Sequence, residues 1–256
     1  MASEKIKVSG CVVTFNNSDD IEACAGSLLK YTSEVDFELY VSDNSSSDDT
    51  LDKVRRLFPD VHILQNDTNS GFGAGHNAVM PLLDSKYHAV VNPDISVDRD
   101  VISELVGYME ANPDVGIVTP RILNPDGTEQ HLPKRRPTLW YLMAGRLPFL
   151  GKVRRRYCRA DENLSVPTPI DFCTGCLMLV RTELFKAVGG FDERYFMYFE
   201  DADLTLKIKK THKAVYYPYT YAFHKWHRAS SKSVKFLFIQ ICSMFKFFAK
   251  WGLKIW

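Results

Sequence analysis

Short apolar runs alternate with amphipathic segments along the first half of the chain, and clusters of Asn, Asp, Ser and Gly separate them. The apolar runs predict buried strands, and segments with apolar residues every three or four positions predict helices. The expected strands lie at 6–15, 37–42, 61–65, 87–91 and 115–119, and the expected helices at 19–31, 47–58, 74–83 and 99–111. This alternation predicts an α/β fold with a Rossmann-like, mostly parallel, doubly wound sheet and helices on both faces.

The pattern is less regular after the fifth expected strand. A turn signal at 124–127 precedes a basic, proline-containing segment at 131–160, which we interpret as an irregular loop or lid. Beyond it we predict a strand at 170–180, helices at 182–188 and 200–210, and a last strand at 213–217.

The tail has a pattern of its own. On a helical projection, four lysines and a serine fall within about 80° of arc, opposite a wide face of Phe, Leu, Ile, Met and Trp; they are Lys232, Lys235, Ser243, Lys246 and Lys250. A narrow lysine stripe against an aromatic face is typical of a helix that lies in a membrane interface. The alternative is a helix that packs on its own domain or in a homodimer.

The net charge of +1 conceals an asymmetry. Eleven Lys and Arg but no acidic residue follow Asp203, so residues 204–256 carry +11 and residues 1–203 carry −10. Basic surfaces of this kind attract phosphates, nucleic acids or anionic lipids. No uninterrupted apolar run reaches the roughly 18 residues of a membrane span, and the N-terminus lacks the pattern of a signal peptide. We therefore expect a cytoplasmic protein.

The six cysteines do not suggest a disulfide framework. Cys173 and Cys176 have the spacing of half a zinc site, but no second pair completes it, so we interpret them as packed thiols. Most of the others stand in apolar or helical surroundings, as reduced cysteines do.

Polar residues stand at the ends of three predicted strands: Thr14 and Asn16, on either side of Phe15; Asp43, Asn44 and Ser45; Asn92 and Asp94. The carboxyl ends of parallel strands meet at one edge of a sheet, where α/β proteins bind their ligands. We expect a nucleotide pocket at this edge, with the backbone of 14–16 and the Asp43 carboxylate facing a base. The alternative for 43–45 is a turn that caps the next helix.

Residues 70–77 superficially match the glycine pattern of dinucleotide-binding proteins. The segment follows the third predicted strand rather than the first, which does not favour a dehydrogenase. Glycines that open a helix still permit close backbone approach to an anion. We therefore predict that Gly71, Gly75 and Asn77 contact a bound nucleotide.

Three carboxylates suggest a division of roles. Asp94 offers the hard oxygen donor that a divalent cation needs to bridge a diphosphate. Glu200 and Asp201 open a helix beside Phe199, and an aromatic surround raises a carboxylate pKa toward that of a general base. The alternatives are an ordinary turn at 92–94 and a helix whose charges suit its dipole.

His224 and His227 follow the last predicted strand in a polar segment. A lone histidine is more often structural than a ligand. If the segment folds back to the strand ends, however, one of the two imidazoles faces the expected cation. Both interpretations stay open at this point.

Taken in order, these segments resemble family 2 glycosyltransferases of the GT-A fold, and among them bacterial rhamnosyltransferases of cell-surface polysaccharide synthesis. The matching pieces span about residues 6–230; they are 12–16, 43–46, 69–77, 92–94, Gly175 with Arg181, 189–193, 199–201 and His224. Each piece is weak alone, whereas their shared order is specific.

The resemblance implies an inverting transfer of a sugar from a nucleotide diphosphate. By analogy Asp43 contacts a pyrimidine base, Asp94 holds a Mg²⁺ or Mn²⁺ ion, and His224 lies near the diphosphate or the metal. Asp201, with Glu200 beside it, takes the proton of the acceptor hydroxyl, and Phe199, Glu200 and Trp226 lie on the acceptor side. Asn92 departs from the family, since many relatives carry the first acid of a DxD motif there. This substitution weakens the expected cation site.

The implied donor is dTDP-L-rhamnose, with another UDP- or dTDP-sugar as the alternative. The implied acceptor is a polyprenyl-diphosphate-linked saccharide, which favours a peripheral position on the inner face of the cell membrane. We accordingly divide the chain into a glycosyltransferase domain at 1–230 and an amphipathic helix at 231–256. Within the domain, a nucleotide-binding half reaches to about 120 and an acceptor-side half follows.

Three other functions are less consistent with the sequence. A sugar nucleotidyltransferase normally carries a Gly-rich, basic triphosphate loop after its first strand, and residues 16–18 form no such loop. A catalytically silent module recruited to membranes does not require the intact Glu200–Asp201 pair. A nucleic-acid partner is not expected, because the basic patches lie in a lid and a tail rather than on a recognisable reading module.

Overall fold

The computed structural model describes residues 5–144, 150–226 and 234–255. The first half alternates as predicted, with element ends shifted by a few residues. Its elements are β1 (Lys7–Thr14), α1 (Ile21–Tyr31), β2 (Asp36–Asp43), α2 (Thr50–Leu57), β3 (His62–Gln65), α3 (Phe72–Val79), a 3₁₀ turn (Met80–Leu82), β4 (Tyr87–Val91), β5 (Ile95–Ser96), α4 (Val101–Ala111) and β6 (Val115–Leu123).

The second half departs further from the prediction. Its elements are α5 (Leu139–Ala144), α6 (Gly151–Tyr157), β7 (Thr168–Pro169), β8 (Leu177–Arg181), α7 (Thr182–Ala187), α8 (Glu200–Ile208), β9 (Lys213–His224) and α9 (Val234–Trp251). The strand predicted at 170–180 was wrong in its first part, because 171–176 leave the sheet to approach α8. The last strand continues to His224, and the basic segment contains two short helices.

The described strands form one nine-stranded sheet, ordered β3-β2-β1-β4-β8-β6-β9-β5, with β7 paired to β9. The β1–β2, β1–β4, β2–β3 and β6–β9 pairs are parallel, whereas β8 runs antiparallel to both neighbours, β4 and β6. Because β8 is antiparallel to both β4 and β6, these two strands run in the same direction. The carboxyl ends of β1, β2, β4, β6 and β9 therefore meet at one edge, and the parallel-dominated, doubly wound prediction is confirmed.

Helices cover both faces of the sheet, as its buried strands require. Side chains alternate in direction along a strand, so Val8 and Val12 of β1 join one core, and Cys11 and Val13 the other. The first core receives α1, α2 and α4, and the second receives α3, α7 and α8. Each fully buried Val or Leu stabilises the fold by about 1.5–3 kcal/mol.

Helix α9 packs its C-terminal half on the domain. Phe247 is fully buried and Phe248 nearly so, in a cluster with Phe199 and Phe172. In contrast, Val234 and other apolar side chains of the same helix face outward; these include Leu237, Phe238 and Phe245. Within the described ranges, no helix has the length and apolar content needed to cross a membrane.

The lysine stripe predicted along α9 does not point away from the protein throughout. Ser243 Oγ donates to Met197 O at 2.8 Å, and Lys246 Nζ donates to the Arg194 carbonyl. Lys250 forms ion pairs with the domain. The C-terminal end of the lysine stripe therefore packs against the domain, where Lys250 pairs with the carboxylates of Asp192 and Asp203. Lys232 lies outside the described residues.

Candidate active site

Thr14 and Asp43 lie side by side at the ends of β1 and β2, where they are register partners. The buried Asp43 carboxylate accepts hydrogen bonds from Thr14 Oγ1 and from the Ser46 backbone N–H, each at 2.9 Å. The Ser46 hydroxyl donates a third. A buried charge needs such donors, because leaving it unsatisfied is costly. Residues 43–46 therefore form a turn, but this turn does not cap α2, which begins at Thr50 with Asp49 at its N-cap. Contact of Asp43 with a base stays a prediction.

The loop beside Asp43 is held by two residues with left-handed backbones, Asn16 (φ 56°) and Ser45 (φ 65°). Asn16 N–H donates to Ser46 Oγ, and Asn16 Oδ1 accepts from Ser47 N–H, both at 2.8 Å. Such conformations cost about 1–3 kcal/mol in non-glycine residues, so the surrounding bonds must impose them. The adjacent Phe15 is 47% exposed, which leaves an aromatic surface at the rim of this loop.

The glycine-rich segment approaches its own chain closely. Gly71 has φ 96°, and a Cβ there would lie 2.1 Å from the Phe196 carbonyl oxygen, which accepts from Phe72 N–H at 3.0 Å. A Cβ on Gly75 would lie 2.6 Å from Val13 Cγ1. Packing within the chain already requires these glycines, and their contact with a nucleotide stays a prediction.

Two asparagines fix this segment from either side. Asn44 Nδ2 donates to Gly71 O at 3.0 Å. Asn77 Nδ2 donates to Phe191 O at 2.9 Å, and Asn77 Oδ1 accepts from Phe191 N–H at 2.8 Å. Asn77 therefore clamps α3 to the loop at 189–193. Its predicted contact with a nucleotide would have to be made in addition.

Asp94 and His224 meet where β5 pairs with β9. His224 Nε2 lies 3.2 Å from Asp94 Oδ1. On the other side of the ring, Nδ1 lies 2.9 Å from Gln130 Oε1, and Gln130 Nε2 donates to His224 O at 2.7 Å and to Asn124 Oδ1 at 2.8 Å. Because the amide nitrogen serves two acceptors, the oxygen faces the imidazole, and Nδ1 must carry its proton. In the neutral ring, the Nε2 lone pair then faces the carboxylate.

Two acceptor atoms at this separation need a proton or a cation between them. A carboxylate oxygen and an imidazole nitrogen are both ligands of divalent ions, and an outer hydrogen bond such as that from Gln130 is typical of metal-binding histidines. The residues therefore fit a Mg²⁺ or Mn²⁺ site. Among the described residues, no group of three or more His, Cys, Asp or Glu converges to complete it. Substrate phosphates commonly supply the missing ligands.

Trp226 stands beside this pair. Its ring stacks with that of His224 at 6.4 Å between centroids, and the side chain is 39% exposed. An exposed aromatic ring at this position offers a flat apolar surface next to the expected diphosphate. The acceptor-side role of Trp226 stays a prediction. His227 lies outside the described residues.

Glu200 and Asp201 form the first turn of α8. Asp201 Oδ2 accepts from Gly175 N–H at 3.1 Å, and Oδ1 accepts from Ala202 N–H at 2.9 Å. Burial raises the pKa of Asp201; burial, and then the charge of Asp201, raise the pKa of Glu200 well above its usual range. These directions agree with the rise expected of acids in an apolar surround, and the catalytic role of the pair stays a prediction. Asp201 accepts from two backbone N–H groups, which stabilise its ionised form, so it is the carboxylate better suited to ionise and accept a proton.

The segment Gly175–Cys176 connects Asp201 to the end of β4. Gly175 donates to Asp201, and Cys176 O accepts from Asn92 N–H at 2.8 Å. Burial raises the pKa of the Cys176 thiol to about 12, and the charges of Asp94 and Asp201 both add to the rise. Both carboxylates therefore lie near one short segment, which supports the packed-thiol interpretation of Cys176.

The basic segment contributes two groups near Asp201. The charge of Lys134 lowers the pKa of Asp201, and the charge of Asp201, after burial, raises the pKa of Tyr157. Lys134 Nζ also lies 4.6 Å from the centre of the Phe172 ring. These two groups of the basic segment therefore lie near the carboxylate pair, and the lid interpretation stays a prediction.

Comparison with known proteins decides the family. The sequence profile described as Glycosyl transferase family 2 matches residues 9–189, well over half of the chain. The chain belongs to this family. It is 29% identical over 240 residues to the N-acetylglucosaminyl-diphospho-decaprenol L-rhamnosyltransferase of Mycobacterium tuberculosis, with 86% of this chain and 75% of the relative covered. It is also 29% identical over 168 residues to the rhamnosyltransferase WbbL of Escherichia coli K12, covering 62% and 61%.

Solved structures agree on the fold. This glycosyltransferase superposes on a mannosyltransferase of Pyrobaculum calidifontis in complex with GDP-Man and Mn²⁺ with a TM-score of 0.64, at 18% identity over 89% of this chain and 59% of that one. It superposes on Staphylococcus aureus TarS in complex with UDP-GlcNAc with a TM-score of 0.64, at 19% identity over 95% and 67%. The chain thus has the GT-A fold and spans about two thirds or less of these solved chains.

Sequence reasoning did not single out three residues that lie near the candidate site. Gln130 is 94 positions from His224, and Lys134 belongs to a segment recognised only as basic. Tyr157 is one of the many aromatic residues of the lid. Their roles depend on which loops meet, and no local pattern in the sequence carries that information.

Proposed function

We propose that the protein is an inverting glycosyltransferase that moves L-rhamnose from dTDP-L-rhamnose onto a lipid-linked, polyprenyl-diphosphate saccharide in cell-surface polysaccharide synthesis. The observation that carries the chemistry is the position of Asp201, a carboxylate whose pKa burial raises. Gly175 N–H donates to this carboxylate, and the next residue, Cys176, is hydrogen-bonded to Asn92, two residues before Asp94. A base on one side and a diphosphate site on the other suit a single displacement at the anomeric carbon.

Asp201 takes the proton of the acceptor hydroxyl as its oxygen attacks the sugar. Its two N–H donors orient the carboxylate, and the raised pKa strengthens it as a base. Glu200 is buried in the same turn, and burial and then the charge of Asp201 raise its pKa, which favours its neutral form beside the base. Phe199 and Trp226 provide apolar surfaces for the acceptor sugar.

The donor nucleotide occupies the loops at the ends of β1 and β2. Asp43 has one accepting position left after its three hydrogen bonds, enough for the imide N–H of a pyrimidine. The nucleotide pocket at this edge is lined by Thr14, Phe15 and Asn16 from the end of β1 and by Asn44 and Ser45 from the end of β2. The segment from Gly71 to Asn77 opens α3 toward the phosphates. UDP- and dTDP-sugars share the recognised imide.

Asp94 and His224 hold the divalent cation, with Asn92 beside them at the end of β4. When bound, the ion offsets the negative charge of the departing diphosphate. The relative that acts on a diphospho-decaprenol substrate and the rhamnosyltransferase WbbL support the assignment of a rhamnose donor and a lipid-linked acceptor.

A lipid-linked acceptor places the enzyme at a membrane surface. The outward apolar side chains of α9, led by Val234 (85% exposed), Phe238 (67%) and Phe245 (65%), are suited to insertion among lipid headgroups. We accordingly infer peripheral attachment to the inner face of the cell membrane through this helix.

The test is nucleotide release from a panel of dTDP-, UDP- and GDP-sugars, with and without Mg²⁺ or Mn²⁺, in the presence of a short-chain polyprenyl-diphosphate N-acetylglucosamine. Acceptor-dependent release of dTDP from dTDP-L-rhamnose is expected. Release from a UDP-sugar alone would replace the rhamnose assignment. No release from any donor, in a protein that binds none of the nucleotides, would overturn the transferase proposal.

A further inference from the structure

Helix α9 contacts the turn that carries the carboxylate pair at several points. This catalytic turn runs from Phe199 to Asp203 and is closed by a hydrogen bond from Asp203 N–H to Phe199 O at 2.8 Å. It contains Glu200 and Asp201. The contacts from α9 lie before the turn, at its start and at its end.

The backbone before the turn is strained. Tyr198 and Phe199 both have φ 70°, a left-handed conformation that is unfavourable in non-glycine residues and persists only where the surrounding contacts impose it. Ser243 Oγ of α9 donates to the Met197 carbonyl at 2.8 Å, one residue earlier. The Phe247 ring of α9 packs on that of Phe199 at 5.4 Å between centroids.

The end of the turn is tied by charge. Asp203 is fully buried, and its carboxylate accepts from Trp251 Nε1 at 2.7 Å. Lys250 Nζ lies 2.7 Å from Oδ1 and 2.9 Å from Oδ2 of the same side chain, and it also pairs with Asp192 Oδ2 at 2.7 Å. Removal of the partners of a buried carboxylate leaves an uncompensated charge and strongly destabilises the segment that carries it. Lys207 of α8 also lies 3.7 Å from Oδ2, so this end of the turn is held by α8 and, at shorter distances, by Lys250 and Trp251 of α9.

We propose that the C-terminal helix belongs to the catalytic machinery as a clamp, with Asp203, Lys250 and Trp251 as positioning residues for Asp201. The clamp holds the strained turn in the geometry that directs the Asp201 carboxylate to Gly175 and the acceptor. This inference deepens the proposed function and rests on it for the identity of the reaction. It also means that the helix proposed to meet the lipid surface is directly connected to the base.

The test compares Trp251→Phe and Lys250→Met with the wild type in the full chain. Trp251→Phe removes one hydrogen bond and keeps most of the ring packing. Lys213→Met serves as a matched control, because it breaks an exposed ion pair with Asp114 that includes no residue of α9. With a soluble short-chain acceptor and no membrane, we expect kcat to fall about 10-fold or more in each clamp variant, with the donor KM and nucleotide affinity unchanged.

A structural readout separates this inference from the proposed function. Hydrogen exchange of the amides at 197–204 should accelerate at least about 10-fold in the clamp variants, and exchange in β1, β2 and β4 should not change. If exchange at 197–204 is unaltered, the clamp is refuted whatever the activity. Faster local exchange with an inactive wild type refutes the transferase assignment alone. Equal losses of kcat and of exchange protection across the whole chain would indicate general destabilisation and overturn the positioning role.

Discussion

His224 Nε2 lies 3.2 Å from Asp94 Oδ1, while Gln130 Oε1 holds the opposite nitrogen of the same ring. Asp94 and His224 come from different halves of the chain. Gln130, from a third segment, determines which nitrogen of the neutral imidazole carries the proton and which faces Asp94. Cation binding at this pair is therefore expected to depend on a residue that does not touch the ion.

The Gln130→Leu variant tests this arrangement. Loss of the amide frees the imidazole to change tautomer, and outer-shell losses of this kind typically weaken metal affinity 10–100-fold. We expect such a loss for Mn²⁺ measured by calorimetry in the presence of nucleotide diphosphate, and a larger loss for His224→Ala. Gln65→Leu, an exposed glutamine at the end of β3, serves as the control. Unchanged Mn²⁺ affinity in His224→Ala would exclude this pair as the cation site.

Asp201→Asn removes the proposed base and keeps the shape of the side chain. We expect turnover to fall at least ~100-fold, the usual scale for loss of a general base, with donor binding nearly intact. Steady-state kinetics and nucleotide titration measure the two quantities separately. Asp60→Asn, an exposed residue far from the site, should behave as wild type. Near-normal turnover of Asp201→Asn would remove Asp201 from this role.

The pH profile of kcat reports the ionisation of the base. Since burial raises the pKa of Asp201, the inactive protonated form persists above the ordinary aspartate range, and activity is lost as the pH falls. Lys134 opposes this rise, while Glu200 and Tyr157 face the same carboxylate. We expect Lys134→Met to move the acidic limb of the profile to higher pH. A shift to lower pH would contradict the assigned contact.

Stability should fall with acid because His88 is buried in a neutral form. Burial lowers the pKa of His88 from 6.5 to about 3, and Ser9 Oγ lies 2.8 Å from its Nδ1. The unfolded state therefore binds a proton below pH 6.5 that the folded state does not, and stability is lost progressively from that pH toward 3. The contribution of His88 to the loss at pH 5 is about 2 kcal/mol, and the buried His76, whose pKa burial also lowers, adds to the loss in the same direction. Urea unfolding at pH 7 and pH 5 should show it, and His88→Asn should reduce the difference; an equal difference in the variant would assign it elsewhere.

Membrane attachment should depend on the outward face of α9. Phe238→Ser combined with Phe245→Ser should abolish flotation with vesicles that contain anionic lipid, because two exposed aromatic side chains no longer enter the interface. Leu82→Ser combined with Val166→Ser removes exposed apolar side chains elsewhere and should have no effect. Removal of the chain after Ser230 should release the protein in the same way. Persistent flotation of both tail variants would leave α9 with only its packing role.

The sequence by itself determined the local features of this protein. Its period-two and helical patterns predicted the alternating elements, and the polar residues that follow β1, β2 and β4 predicted a site at the sheet edge, because strand direction places those ends together. Glu200 and Asp201 were identifiable for the same reason, as acids that open a helix beside aromatic residues. The amphipathic tail was also predicted, since its pattern lies within one helix.

Only the tertiary structure decided which distant segments meet. The contact of Gln130 with His224, the approach of Lys134 to Asp201, and the docking of Lys250 and Trp251 on Asp203 each join loops or helices that are far apart in the chain. The lysine pattern of α9 suits a lipid surface and a buried acidic partner equally well. Which of the two α9 contacts depends on the surface that folding places beside the helix, and that surface is formed by the packing of the whole domain.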